Sequence, residues 1–157
     1  MGKENADLLC EVLGTRSDLM KELKGLREAT AWKRPEPNEW SVVEVLHHVA
    51  DVDLLMARRL REIQEGKAEL SGNNPAEWES ARKEAERDGL AGVLRRAYTA
   101  RLEVLNVVSD LTPADLQRAG RHPRYGMLTA RELVSRVGNH DLDHAQQIAK
   151  TRAAVEA

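Results

Sequence analysis

Apolar residues recur every three or four positions along most of this chain, and almost nowhere do they alternate in the period-two manner of a half-buried strand. Leu8, Leu9, Val12, Leu13, Leu19, Met20, Leu23 and Leu26 trace a first amphipathic helix over residues 5–26. Residues 27–40, with Pro35, Pro37 and Asn38 and no sustained period, read as a loop. Ser41-Val-Val-Glu44 is a capping box, with Trp40 placed to staple onto Val45, and it opens a second helix. Its stripe of Val42, Val45, Val49, Val52, Met56, Leu60 and Ile63 runs to about Gly66.

After a polar connector, Asn74-Pro75-Ala76-Glu77 offers an N-cap, a proline at the first helical position and an acid in the first turn. The third helix it starts should break near Asp88-Gly89 and resume through Leu90, Val93, Leu94, Ala97, Tyr98, Leu105 and Val108, with Arg101 near the middle of the arc. Thr112 to Asp115 is a short helical turn, and the segment from Gly120 to Gly126 reads as irregular. Thr129-Ala-Arg-Glu132 is a second capping box, with Leu128 placed to staple onto Leu133, and opens a fourth long helix. The pattern predicts an all-α chain forming one domain over residues 1–157.

The fourth stripe carries the chemistry. At about 100° per residue, Leu133, Val137, His140, His144 and Ile148 share one narrow arc, so two imidazoles occupy positions where a core helix usually carries aliphatic residues. Histidines four apart on one face can turn two ring nitrogens onto a single cation. They could equally be core histidines hydrogen-bonded to neighbouring groups. On the second helix His47 points away from the apolar stripe, as a solvated residue would, while His48 lies on its inner flank and is the candidate third ligand. Counted from their caps, His48 and His140 fall about 10 and 16 Å along their helices, so the rings should meet well inside a bundle. Asp53 and Asp141 flank the stripes as candidates to orient a ligand imidazole through its second nitrogen. Arg101 is a candidate to face the cavity and pair with a substrate or cofactor carboxylate, or alternatively to snorkel. His122, beside Pro123, reads as a turn residue, and residues 82–87 as a solvated charged helix face.

Composition narrows the partners. Net charge is -2 and the basic residues are scattered among the acidic ones, so no footprint for nucleic acid is visible, and five aromatics among 157 residues leave little for base stacking. Cys10, expected to be a packing residue, is the single cysteine, which excludes an internal disulfide and a multi-cysteine metal site. No apolar run has the length of a signal peptide or membrane span, so a cytoplasmic location without membrane contact is expected. His140-Asp-Leu-Asp-His144 is not His-Glu-x-x-His, which argues against a zincin-type protease.

Taken together, Trp40-Ser41-x-x-Glu44-x-Leu46-x-His48-Val49, then His122-Pro123-x-x-Gly126-x-x-Thr129, then His140-Asp141-x-x-His144-x-x-Gln147-Ile148 resemble the ordered signature of the DinB/YfiT-like superfamily. The resemblance spans most of the chain. It implies a four-helix bundle of up-down-down-up connectivity, a divalent metal held by His48, His140 and His144, and a homodimer. Members of that superfamily include thiol S-transferases using low-molecular-weight thiols, a mycothiol-dependent maleylpyruvate isomerase and many proteins labelled as hydrolases. The expected function is therefore a metal-dependent reaction on a small molecule, by hydrolysis or by transfer of a thiol cofactor. Zinc or nickel is the expected ion, with iron or manganese as alternatives. The rival is a non-catalytic, stress-associated binding bundle whose metal site is structural or vestigial.

Overall fold

The computed structural model describes residues 1–157. In chain order it contains α1 (Lys3–Lys21), α2 (Glu28–Ala31), α3 (Val42–Gln64), a 3-10 turn (Pro75–Trp78), α4 (Glu79–Glu86), α5 (Gly89–Asp110), α6 (Pro113–Gln117), strands β1 (Ala119–His122) and β2 (Gly126–Thr129), and α7 (Ala130–Val155). The four long helices α1, α3, α5 and α7 form a bundle.

Their directions follow from which residues meet. Glu4 pairs with Arg131, Thr15 with Asp141, and Arg152 with the Glu22 carbonyl, so α1 and α7 run parallel. Asp51 pairs with Arg96 and Arg61 with Glu103, so α3 and α5 also run parallel. Between these pairs the sense reverses: Asn5 reaches Val108, whereas Arg16 reaches Ala97. The connectivity is up-down-down-up, as the resemblance implies.

The two capping boxes foreseen at Ser41 and Thr129 are both closed, with each hydroxyl accepting from the backbone N–H three residues on and each glutamate returning to the cap. A third, Thr112 with Asp115, starts α6. These reciprocal bonds satisfy otherwise orphaned N–H groups and fix where each helical phase begins. Buried Asn5 donates to the carbonyls of Val108 and Leu111 at 2.8 and 2.7 Å, so α1 closes the end of α5.

The core has two main parts. One gathers Leu8, Val12, Leu60, Ile63, Val104, Val108, Leu133 and Val137 at one end of the bundle. The other gathers Leu19, Val42, Val45, Val49, Val93, Ala145 and Ile148 at the opposite end. The break expected near Asp88-Gly89 is present. Gly89 there has φ +61°, and a Cβ on Gly92 would lie 1.9 Å from the Ala85 carbonyl oxygen, so only glycine lets α4 fold back closely onto α5.

Several expectations change. Residues 27–40, read as a loop, hold the single helical turn α2. The segment expected to be irregular is a hairpin, with Ala119 opposite Thr129 and His122 opposite Gly126. Its strands, four residues each, are too short to show a period. Cys10 is exposed, because the buried positions of α1 are Asn5, Leu8, Val12 and Leu19, and Cys10 lies off that arc. The run 82–87 is only partly a solvated face: Arg82 pairs with Asp51 and Glu86 with His47 on α3.

Candidate metal centre

His48 comes from α3, and His140 and His144 sit one turn apart on α7. The closed caps set both helices in the phase that turns these rings toward one another. His140 Nε2 lies 3.0 Å from His48 Nε2 and 2.9 Å from His144 Nε2. The ring centroids are 4.2 to 4.9 Å apart, with interplanar angles from 53° to 72°. One ligand atom from each of the three residues lies within 4.8 Å of the others.

This donor set fits a cation. Metal–nitrogen bonds near 2.0–2.1 Å place two ligand nitrogens about 3.0–3.4 Å apart, close to the separations seen. A hydrogen-bond chain alone would ask His140 Nε2 to serve two neighbours with one proton or one lone pair. Burial, followed by the charges of His144 and Arg82, pushes His48 down to about 4. Burial, followed by the neighbouring histidines and by Arg16 and Arg101, pushes His140 down to about 3. Both rings are neutral at physiological pH, the form in which imidazole is a ligand. His144 Nδ1 lies 2.7 Å from Gln147 Oε1; donating its proton there leaves the Nε2 lone pair free. The Trp40 ring lies 5.2 Å from that of His48 and is 41% exposed.

All three histidines are half-buried, so the cluster opens to solvent rather than lying sealed in the bundle as the helical rise had suggested. Beside His140 is a cavity of about 680 Å³ between α3, the hairpin and α7, whose walls include Met56, Arg59, His122, Tyr125, Arg136 and Asp143.

The other candidates have different roles. Arg101 does not face a cavity: its Nε and Nη2 donate to Asp53 at 3.0 and 2.9 Å, its Nη2 to Asp141 at 3.0 Å and its Nη1 to the Val12 carbonyl at 3.0 Å. Burial alone would lower its pKa, but the two aspartates outweigh it and raise the value. No donor is left over for a substrate carboxylate, nor is the head in solvent as snorkelling would place it. Asp53 and Asp141 accordingly bond guanidiniums rather than an imidazole, and Arg16, at 2.9 Å from both, completes the cluster. The residue that orients a ring is Gln147. Its position three after His144 was a legible signal, since i and i+3 are neighbours on a helix.

His47 is not solvated. It is 5% exposed, and α4 and α5 cover the side of α3 opposite the apolar stripe. Its Nδ1 accepts from Arg96 at 3.3 Å and its Nε2–H donates to Glu86 at 3.0 Å. Burial, and then the Arg96 charge, lower its pKa. His122 is the turn residue expected, its Nδ1 accepting from the backbone N–H groups of Arg124 and Tyr125 at 3.0 and 3.2 Å.

This up-down-down-up bundle is the DinB-like fold. The DinB superfamily model matches residues 12–148, and the chain belongs to that superfamily. It is 26% identical to the uncharacterized protein YuaE of Bacillus subtilis over 153 residues, covering 90% of this chain and 94% of YuaE. Among solved structures, the four-helix bundle protein TT2238 superposes with a TM-score of 0.69 at 20% identity, covering 93% of this chain and 98% of that one. YfiT from Bacillus subtilis, described as a probable metal-dependent hydrolase with an unusual four-helix bundle topology, gives 0.69 at 16% identity over 98% and 90%. The colibactin self-resistance protein ClbS, solved in complex with double-stranded DNA, gives 0.68 at 13% identity over 95% of each chain.

Proposed function

We propose that this protein is a divalent-metal-dependent enzyme acting on a small molecule, with His48, His140 and His144 as the metal ligands. The observation that carries the reading is the convergence of three Nε2 atoms, one of them from His140, which also lines an open cavity. The likeness to YfiT supports it. Zinc or nickel suits three neutral imidazoles, with iron or manganese as alternatives. When bound, such an ion polarises a substrate oxygen or holds a water or thiol in its nucleophilic form. The chain's own residues do the rest. Gln147 fixes the tautomer of His144, the Arg16-Asp53-Arg101-Asp141 cluster ties α1, α3, α5 and α7 together beside the ligands, and Trp40 walls one side of His48. The reaction is hydrolysis or S-transfer from a low-molecular-weight thiol, in a cytoplasmic homodimer. No helix is long and apolar enough to cross a membrane.

The test measures metal per chain, then turnover of esters and amides and of electrophiles with candidate thiols. His140→Ala should lose tight metal binding and turnover while keeping the fold, and unchanged metal content in that variant would overturn the assignment. The second reading is a non-catalytic binding bundle with a structural ion, favoured by the fold shared with ClbS. Bound metal with no turnover, together with a melting temperature that collapses on chelation, would select it.

A further inference from the structure

The cavity beside His140 holds cationic and N–H groups that the fold itself does not use. Arg59 is 5% exposed, and its Nε donates to the Ser71 carbonyl at 2.9 Å, but Nη1 and Nη2 meet no protein acceptor. The nearby Glu62 carboxylate is committed to the Ser71 N–H and hydroxyl instead. Arg136 makes no salt bridge, although after the Thr129 bonds its charge helps hold the Glu132 carboxyl below the usual value; its guanidinium carbon lies 4.4 Å from the Tyr125 ring centroid. The hairpin supplies a third group: the backbone bonds to His122 Nδ1 leave its proton on Nε2, which has no protein partner, while the ring is 8% exposed. After burial, the charges of Arg59 and Arg136 are what lower the pKa of His122, so both guanidiniums bear on this ring. Among the acids of the wall, Glu132 is occupied by the Thr129 N–H at 2.7 Å, and Asp143 is exposed at the rim.

Two guanidiniums with N–H groups that no protein acceptor takes, and an imidazole N–H donor, around one recess are complementary to an oxyanion. We propose that Arg59, Arg136 and His122 bind the carboxylate or phosphate group of a small-molecule acid, which makes the substrate an anion anchored beside the histidine cluster. The placement of its reacting atom at His140 rests on the proposed metal-dependent function; the anion site itself does not.

Calorimetric titrations of inorganic phosphate and of propionate, at constant ionic strength, into zinc-free and zinc-loaded protein provide the test. Saturable binding to the zinc-free protein is expected, weakened about tenfold or more in Arg136→Gln with zinc content unchanged, as the loss of one charge-assisted contact predicts. Preference for one of the two probes identifies the oxyanion, and either preference supports the site. Arg136→Glu repeats the measurement with reversed charge and, being half-buried, does not depend on the foldability of an Arg59 variant. The proposal is overturned if zinc-free protein binds neither probe, if Arg136→Gln binds as tightly as wild type, or if a short DNA duplex displaces phosphate. Failure of zinc to bind would sink the metal reading while leaving this site standing.

Discussion

Gln147 Oε1 accepts the proton of His144 Nδ1 at 2.7 Å, and that single bond determines which nitrogen of the ring faces the other two histidines. Partners that orient a metal-bound imidazole are commonly worth 10- to 100-fold in affinity. Gln147→Leu should therefore weaken zinc binding by roughly that factor with little change in thermal stability. Competition against a chromophoric chelator measures it, and wild-type affinity in the variant would show that the bond is incidental.

The Arg101 guanidinium is 4% exposed between Asp53 and Asp141 at 1% and 0%. Removing one partner of such a cluster leaves charge buried without compensation. Arg101→Met should destabilise the fold by about 3 kcal/mol, toward the low end for buried ion pairs because Arg16 still neutralises part of the charge. Denaturant unfolding reads this directly, and a loss below about 1 kcal/mol would show that the cluster contributes little.

Acid should loosen the metal-free protein through the histidine cluster. In the unfolded chain His48 and His140 titrate near 6.5, whereas in the fold they fall to about 4 and about 3. Between these values the unfolded state binds more protons, so stability falls as pH drops from about 6.5 toward 4. His140→Gln should flatten that slope, measured as melting temperature against pH. A slope identical to wild type would place the acid sensitivity elsewhere. With zinc bound, the same protons compete with the ion, and metal release should steepen over the acidic range.

His47 and His48 are sequence neighbours with opposite consequences. His47→Ala should leave one zinc per chain but destabilise by about 1–3 kcal/mol, because Glu86 and Arg96 lose a buried partner. His48→Ala should do the reverse, losing metal with a smaller effect on the fold. Elemental analysis and thermal melts of the two variants separate these outcomes.

Much of this arrangement was legible along the chain. The capping boxes at Ser41 and Thr129, the stripes on α3 and α7 and the break at Asp88-Gly89 all follow from local rules that tertiary packing leaves intact. What could not be read were contacts that depend on which helices become neighbours. The helical wheel separates His47 from the stripe correctly, but it assumes one buried face. In the bundle α3 is the central helix, with 16 of its 23 residues buried, so its opposite side is covered too. Arg101 was correctly placed facing inward, yet inward meant two aspartates from other helices rather than a cavity. Gln147 is a different case: its i, i+3 spacing from His144 within α7 was readable, although spacing alone does not choose the rotamer that makes the bond.

Both ligand-bearing helices are counted from a pinned first residue, His48 seven after Ser41 and His140 eleven after Thr129. An insertion of one residue inside either interval would swing the downstream imidazoles by about 100°, out of reach of their partners. Those two intervals therefore behave as fixed-length rulers. The same swing would carry the core residues beyond them, Val49, Leu60 and Ile63 on α3 and Ala145 and Ile148 on α7, so the metal ligands and the bundle's interior are measured off by one and the same count.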